Sequence, residues 1–323
     1  MLYGVKNPHG GDRYGDGIAL DFSANVSPLG TPKCVTEAIE RGLPELYRYP
    51  DPYCRALVQA IARYEGVPGE FILCGNGASE LIYAYCEAVR PGRAMELAPT
   101  FSEYSLALQR RGCGVVRFAL SQEEKFDLQE RFLARLAREK IDALFLCNPN
   151  NPTGVLYPKE LLLEIIQIAR ESGLLIFADE IYDRLVMDGK QHISLASLTE
   201  DVPVITLNGL SKSHCLCGYR CGWMVISGPR ELTEDYRQGI IQLTSLRLCA
   251  NTMAQIVIPA ALDDMETPAS MVRPGGRIYE QREATVRELE KIDGLSFVKN
   301  DAAFYVFPKL DVKKFNITND KQF

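Results

Sequence analysis

Between residues 71 and 226 the sequence alternates short, mostly apolar runs with longer stretches whose apolar residues recur at helical spacing. This alternation constrains the fold more than any other feature. The runs at 71–74, 94–98, 115–119, 143–147 and 174–178 are too short for helices and rich in Val, Ile, Leu, Phe and Ala, so they read as buried strands. The stretches at 79–89, 102–111, 128–138 and 159–171 carry the three-to-four-residue apolar repeat of amphipathic helices. Runs at 202–207 and 223–226 add two strands, and 231–246 and 277–292 add two longer helices. Strands apolar on both faces, with helices between them, predict an α/β fold, a three-layer α/β/α arrangement around a mostly parallel sheet. In such sheets ligands bind beyond the carboxyl ends of the strands.

A chain of 323 residues is longer than one small core needs, so a large domain with a smaller one is expected. No internal repeat, low-complexity segment or clear linker divides it. The net charge of −6, from 36 basic and 42 acidic residues, gives no reason to expect a nucleic acid or an anionic membrane as partner. No apolar run is long enough to span a bilayer, and the opening MLYGVKNPHGGD lacks the apolar core of a signal peptide. Ten irregularly spaced cysteines read as reduced thiols rather than a disulfide framework, which points to the cytoplasm.

Four loops at predicted strand ends carry the chemistry. Gly75-Asn76-Gly77-Ala78-Ser79 turns from strand into helix; it serves either as a phosphate cradle, with backbone N–H groups and the helix N-terminus facing an anion, or as a plain cap through Asn76 or Ser79. Asn148, Asn150 and Asn151 stand in NPNNPTG, where an elaborate turn is the simplest reading and an amide aimed into the cleft the functional one. Asp179 and Glu180 close an apolar strand, either pairing with a basic residue or serving a buried cationic ligand group. Lys212 follows another apolar run; a desolvated lysine has a depressed pKa and a nucleophilic amine, whereas most lysines are solvated surface. Arg220, between glycines, suits either a phosphate in fork geometry or a surface ion pair. His214, Cys215, Cys217 and Cys221 lack paired zinc-site spacing, so no metal is expected and the cysteines read as small buried hydrophobes.

Taken in order, the phosphate cradle, NPNNPTG, ADEIY and SK followed by GYRCGW resemble the fold type I pyridoxal-phosphate enzymes, the aspartate aminotransferase superfamily, over nearly the whole chain. HGGDRYG, LDFSANVSPLG and YRYPDP are similar to threonine-phosphate decarboxylase and histidinol-phosphate aminotransferase; LNGLSKSHCLCGYRCGWMV, LRLCAN, PGGRIYEQR and YVFPKLDVKKFNI are similar to alanine- and aspartate-type aminotransferases. The resemblance implies pyridoxal 5'-phosphate as cofactor, held as a Schiff base by Lys212. Asp179 would pair with the pyridine nitrogen, and Tyr182 and Asn151 would bond the phenolic oxygen. Tyr104 would stack on the ring, while Gly77, Ala78, Ser79, Ser211 and Arg220 would hold the phosphate. Tyr49 would reach the phosphate of a neighbouring subunit, making a homodimer the working unit. Asn25, Gly30 and Asn151 would meet the substrate. The large cofactor-binding domain would span 35–250, and a smaller α+β domain would take 1–34 with 251–323.

The implied function is an aminotransferase of amino acid metabolism, moving an amino group between an amino acid or amino-phosphate and a 2-oxo acid. A phosphothreonine decarboxylase would use the same cofactor residues, and a non-catalytic binding module is the reading from another class. Two departures stand out. Ala302-Ala303 replaces the usual Gly-Ala before FYVFP. Relatives also continue beyond position 323 with an arginine for the substrate carboxylate, so the small domain is expected to be incomplete, with Arg247 or Arg273 as substitutes. Strands are expected at 295–298 and 304–307.

Overall fold

The computed structural model describes residues 10–11, 21, 23–27 and 29–319. Parts of the expected N-terminal substrate segment, at 12–20, 22 and 28, lie outside the described residues, as do 1–9 and 320–323.

A seven-stranded sheet forms the centre, in the order β1-β7-β6-β5-β4-β2-β3. Its strands are β1 (Ile72–Gly75), β2 (Arg93–Ala98), β3 (Gly114–Ala119), β4 (Ala143–Cys147), β5 (Leu175–Asp179), β6 (Val204–Gly209) and β7 (Gly222–Ser227). From β3 through β2, β4 and β5 to β6 the pairing is parallel, and β7 runs antiparallel to both β6 and β1. Each strand expected between 71 and 226 is present, with ends shifted by a residue or two.

Period-two alternation sorts the side chains into layers. On β4, Ala143, Phe145 and Cys147 join one core, while Leu144 and Leu146 join the opposite one. The first core is covered by α3 (Ala78–Val89), α4 (Glu103–Gln109) and α8 (Arg230–Ser245), which supply Leu81, Tyr85, Tyr104 and Ile240. The second is covered by α5 (Glu130–Arg138) and α6 (Lys159–Ser172), through Phe132, Leu136, Leu162 and Ile165. Over β1 and β7 the cover comes from α1 (Lys33–Gly42), α2 (Arg55–Glu65) and α9 (Thr252–Asp263), packed on Trp223 and Val225. α9 therefore continues the sheet's own helical layer past residue 250.

A four-residue α7 (Leu210–Ser213) follows β6, and α10 (Glu266–Val272) and α11 (Arg277–Leu289) follow α9. The expected strand at 304–307 is absent. The small ladder instead pairs β8 (Leu295–Ser296) with β9 (Lys309–Leu310). Phe304 and Tyr305 make edge-on ring contacts with Tyr182, so they pack against the large sheet's loops rather than extend a ladder.

An aromatic stack lies beneath the strand ends. Phe177 is fully buried, stacked on Phe145 at 4.7 Å and tilted against Tyr85 at 4.8 Å. Phe177→Ala should cost about 3–5 kcal/mol of stability, measured by urea unfolding, because three rings cannot collapse into the space it leaves.

Candidate active site

Asp179 is the last residue of β5, and alternation turns its side chain to the face of Phe145 and Phe177. It is 4% exposed. Its Oδ2 accepts the Tyr104 hydroxyl at 2.5 Å, and its Oδ1 accepts the backbone N–H of Ile181 at 3.2 Å. Burial pushes its carboxyl above the ordinary value, against the pull of Tyr104, Ile181 and Lys212. The expectation that Tyr104 stacks on a ligand ring does not match its placement. Its ring is fully buried among Phe101, Phe145 and Phe177, and only its hydroxyl reaches the site. Phe101, half-buried and edge-on to Tyr104, is the aromatic nearest that position on the open side. Tyr104 lies in α4, which packs under the sheet, whereas Phe101 precedes that helix.

Lys212 sits in α7, directly after β6. Its Nζ lies 5.8 Å from the centre of the Tyr182 ring and donates no hydrogen bond to another described residue. Burial lowers its pKa, opposed by Cys217, Asp179 and Cys215. The amine is therefore poised to be neutral more often than a surface lysine.

Arg220 adopts a left-handed backbone and folds back, Nη1 donating to the Cys217 carbonyl at 2.9 Å. Its guanidinium lies against Gly77, the residue before α3, whose φ is +93°. A Cβ on Gly77 would stand 2.3 Å from Arg220 Nη2. Gly222 is as tightly placed, since a Cβ there would meet the Ala78 nitrogen at 2.6 Å. A cation with no carboxylate partner among the described residues is thus pressed onto the N-terminus of a twelve-residue helix. Ala78 and Ser79 open that helix, and Ser211 lies beside Lys212. Such a cup suits a phosphate.

The asparagines divide between the two roles weighed for them. Asn148 caps a turn by accepting from the Tyr157 N–H at 2.9 Å, and the fully buried Asn150 bonds Thr100, Pro99 and Thr153. Asn151 faces the cleft, its Nδ2 donating to the Tyr182 hydroxyl at 3.4 Å. That hydroxyl also meets the Tyr305 hydroxyl at 2.6 Å, and Tyr305 accepts from Asn25 Nδ2 at 3.3 Å. Tyr305 was not foreseen; only its place after the buried Ala302-Ala303 pair hinted at it.

Gly30 lies exposed in a turn closed by its N–H on the Ser27 carbonyl. Tyr49 is 85% exposed. Neither candidate substitute arginine is free. Arg247 donates to Glu80 and to the Cys74 carbonyl, both at 2.7 Å, and Arg273 pairs with Glu266. A cavity of about 540 Å³ on the Cys215 side of Lys212 is lined by Asn25, Cys215, Arg277, Gln281 and Phe304. His214 bonds Ser213 and the Asp264 carbonyl, and among the described residues no group of His, Cys, Asp and Glu is arranged to hold a metal. No helix among them is long and apolar enough to cross a membrane.

Behind Asp179, Glu180 points the other way, its Oε1 accepting the Leu195 N–H at 2.9 Å. Its Oε2 stands 3.7 Å from His192 Nε2. Burial pushes Glu180 up to about 8 and His192 down to about 4, so between those values both are neutral and the contact is not an ion pair.

The family model for aminotransferase class I and II matches residues 18–323. The glutamate-pyruvate aminotransferase AlaA of Escherichia coli (strain K12) is 40% identical over 257 residues, 78% of this chain and 63% of that protein, so the chain spans less than two thirds of that relative's length. The threonine-phosphate decarboxylase of Salmonella typhimurium is 34% identical over 76% of this chain and 65% of its own. A crystal structure of an aminotransferase from Escherichia coli superposes with a TM-score of 0.83 at 36% identity, covering 91% of this chain and 75% of that one.

The Glu180 environment predicts a pH dependence. Its folded pKa is raised, so the stability of the neutral form is fully present below about 4.5 and lost as pH rises through about 8. Glu180→Gln keeps the acceptor for Leu195 but cannot ionise. Thermal scans should show the variant's Tm rising relative to the parent by several degrees between about pH 5 and about pH 9. A difference that is flat across that range would mean that Glu180 ionises as an ordinary carboxylate.

Proposed function

We propose, on the premise that the chain belongs to the aminotransferase class I and II family, which depends on pyridoxal phosphate, that it is itself an aminotransferase with Lys212 as its cofactor-bearing lysine. The observation that carries this reading is the convergence of three unlike groups at one end of the sheet: the Lys212 amine after β6, with no hydrogen-bond partner among the described residues, the buried Asp179 that ends β5, and the Arg220 cup at Gly77 between the end of β1 and the start of β7.

The residues fit the cofactor. Arg220, Ser79, Ser211 and the first N–H groups of α3 would hold its phosphate. Asp179 would face its ring nitrogen, and the cost of burying that carboxylate falls when a cation is placed beside it. Tyr104 fixes the carboxylate by holding Oδ2. Asn151 and Tyr182 would meet the phenolic oxygen, and Phe101 rather than Tyr104 supplies the aromatic face. Bound there, pyridoxal phosphate supplies an electron sink for charge developing at the substrate α-carbon. With its pKa lowered by burial, Lys212 Nζ can take the proton lost from that carbon, and once charged it can return one.

The substrates are an amino acid and a 2-oxo acid, with glutamate and pyruvate the first pair to test. Decarboxylation would use the same residues and differs only in the α-carbon bond that breaks. Incubation with amino acids and either pyruvate or 2-oxoglutarate separates the two by the release of keto acid or of CO2. We further place the protein in the cytoplasm as a homodimer, with the exposed Tyr49 reaching a second copy's phosphate cup. The large domain would extend from 35 through α9 rather than end at 250.

Borohydride reduction of the loaded protein should fix the cofactor on the peptide containing Lys212; label on any other lysine rejects the assignment. Asp179→Asn should retain much of the cofactor yet lose about 2–3 kcal/mol of barrier lowering, roughly a hundredfold in kcat. Turnover within a few-fold of the parent would remove Asp179 as the ring partner.

A further inference from the structure

Asp183 follows Tyr182 by one residue, yet its side chain leaves the cleft and turns beneath the end of β6. Its Oδ2 accepts from Asn208 Nδ2 at 3.1 Å, with Arg184 Nε at 3.4 Å, and its buried Oδ1 has no partner. Asn208 is itself buried, and its Oδ1 accepts the backbone N–H of Gly209 at 2.7 Å. The orientation of that amide is not free. The Gly209 N–H can only donate, so Oδ1 must face it, which leaves Nδ2 for Asp183. Gly209 is where β6 ends and α7 begins, and its carbonyl takes the Ser213 hydroxyl across the turn that carries Lys212. Gly209 also has no room to move, since a Cβ there would lie 2.6 Å from the Cys221 carbonyl oxygen.

We propose that Asp183 is a positioning residue for Lys212, acting through the Asn208 amide to fix the direction in which the lysine turn leaves β6. The same residue is tied to Tyr182 by the chain, so one side chain sets the relation between the tyrosine arm and the lysine arm of the site. The groups that face Asp183 are Arg184 beside it, Glu180 one turn back, and Tyr64 and Glu65 from α2. Arg184 bonds the Tyr64 hydroxyl at 2.5 Å, and Glu65 accepts the Trp223 indole N–H at 2.7 Å, so Asp183 is the member of this cluster that reaches the lysine turn. Burial raises its carboxyl, with Arg184 and Asn208 opposing, and Oδ2 can accept from Asn208 in either protonation state.

The inference rests on Lys212 being the cofactor-bearing lysine. Three readouts on the holoenzyme test it: the pH midpoint of the bound cofactor's absorbance change, kcat against KM, and Tm. In Asp183→Ala the midpoint should move by at least about half a pH unit and kcat should fall about tenfold, with KM changing less than about threefold. Asp183→Asn retains an acceptor for Asn208 and should bring both back to within about threefold of the parent. A lowered Tm with an unmoved midpoint and kcat in Asp183→Ala would show a merely structural role and overturn the proposal. So would an Asp183→Asn variant as impaired as Asp183→Ala. Should Asp183→Ala not fold, Asn208→Ala breaks the same relay, and an unmoved midpoint there overturns it equally. Borohydride label away from Lys212 overturns the functional reading and this inference together, whereas label on Lys212 with an unmoved midpoint overturns this inference alone.

Discussion

The site depends on the ladder that ties the ends of β4, β5 and β6. The Asn148 N–H donates to the Asp179 carbonyl, and the Glu180 N–H donates to the Leu207 carbonyl. Parallel neighbours lie about 4.8 Å apart, so these bonds fix the NPNNPTG loop, the buried carboxylate and the root of the lysine turn within a few ångströms of one another. Strand alternation then decides which of two adjacent acids enters the cleft. Asp179 shares the face of Phe145 and Phe177, while Glu180 turns to the Leu195 side. A slip of one residue in β5 would turn Asp179 to the Leu195 side and bring either the longer Glu180 or the apolar Ala178 to its place.

The central sheet was legible because its strands are buried on both sides. In Ala143–Cys147 every residue is apolar and every residue is buried, and few other arrangements accept such a run. Asp179 and Lys212 were singled out as charged residues at or just after apolar strands, and Arg220 as an arginine between glycines. The helices α1 and α2 were not read. Pro32, Pro44, Pro50 and Pro52 break up the region around them, and few of their residues are buried: Val35 and Ala38 in one, Leu57, Ala60 and Ile61 in the other. α9 was likewise hidden by its internal Pro259. Side-chain direction was least legible. Tyr104, in α4, is fully buried under the sheet, while Phe101, just before that helix, is half-buried.

The segment at 302–305 shows how a sequence-distant piece completes the cleft. Ala303 is fully buried with φ of +61°, a left-handed conformation that costs an L-residue about 1–2 kcal/mol. It is held there by its N–H on the Leu185 carbonyl, while the Ala302 N–H bonds the Gly154 carbonyl. The kink sends Phe304 and Tyr305 back onto Tyr182 instead of onward into a strand. Tyr305 then joins Asn25 to Tyr182, so the N-terminal segment, the β5 loop and the C-terminal arm meet at one hydroxyl cluster. Neither of these two contacts is visible from spacing, since the partners are separated by more than a hundred residues.

Burial drives the titratable groups of this region toward neutrality, whichever sign they carry. Asp179, Glu180, Asp183 and Glu65 are raised, while Lys212, His192 and His214 are lowered. Arg220, by contrast, is exposed to solvent. Asp179 and Lys212 are buried, so a neighbouring opposite charge lowers the cost of ionising each. A ligand that brings both a phosphate and a ring cation would meet a charge already in place at one end and stabilise one at the other. For such a ligand burial would set the order: the exposed arginine is the group its anion would meet first, and the carboxylate that is expensive to ionise alone would do so once a cation stood beside it.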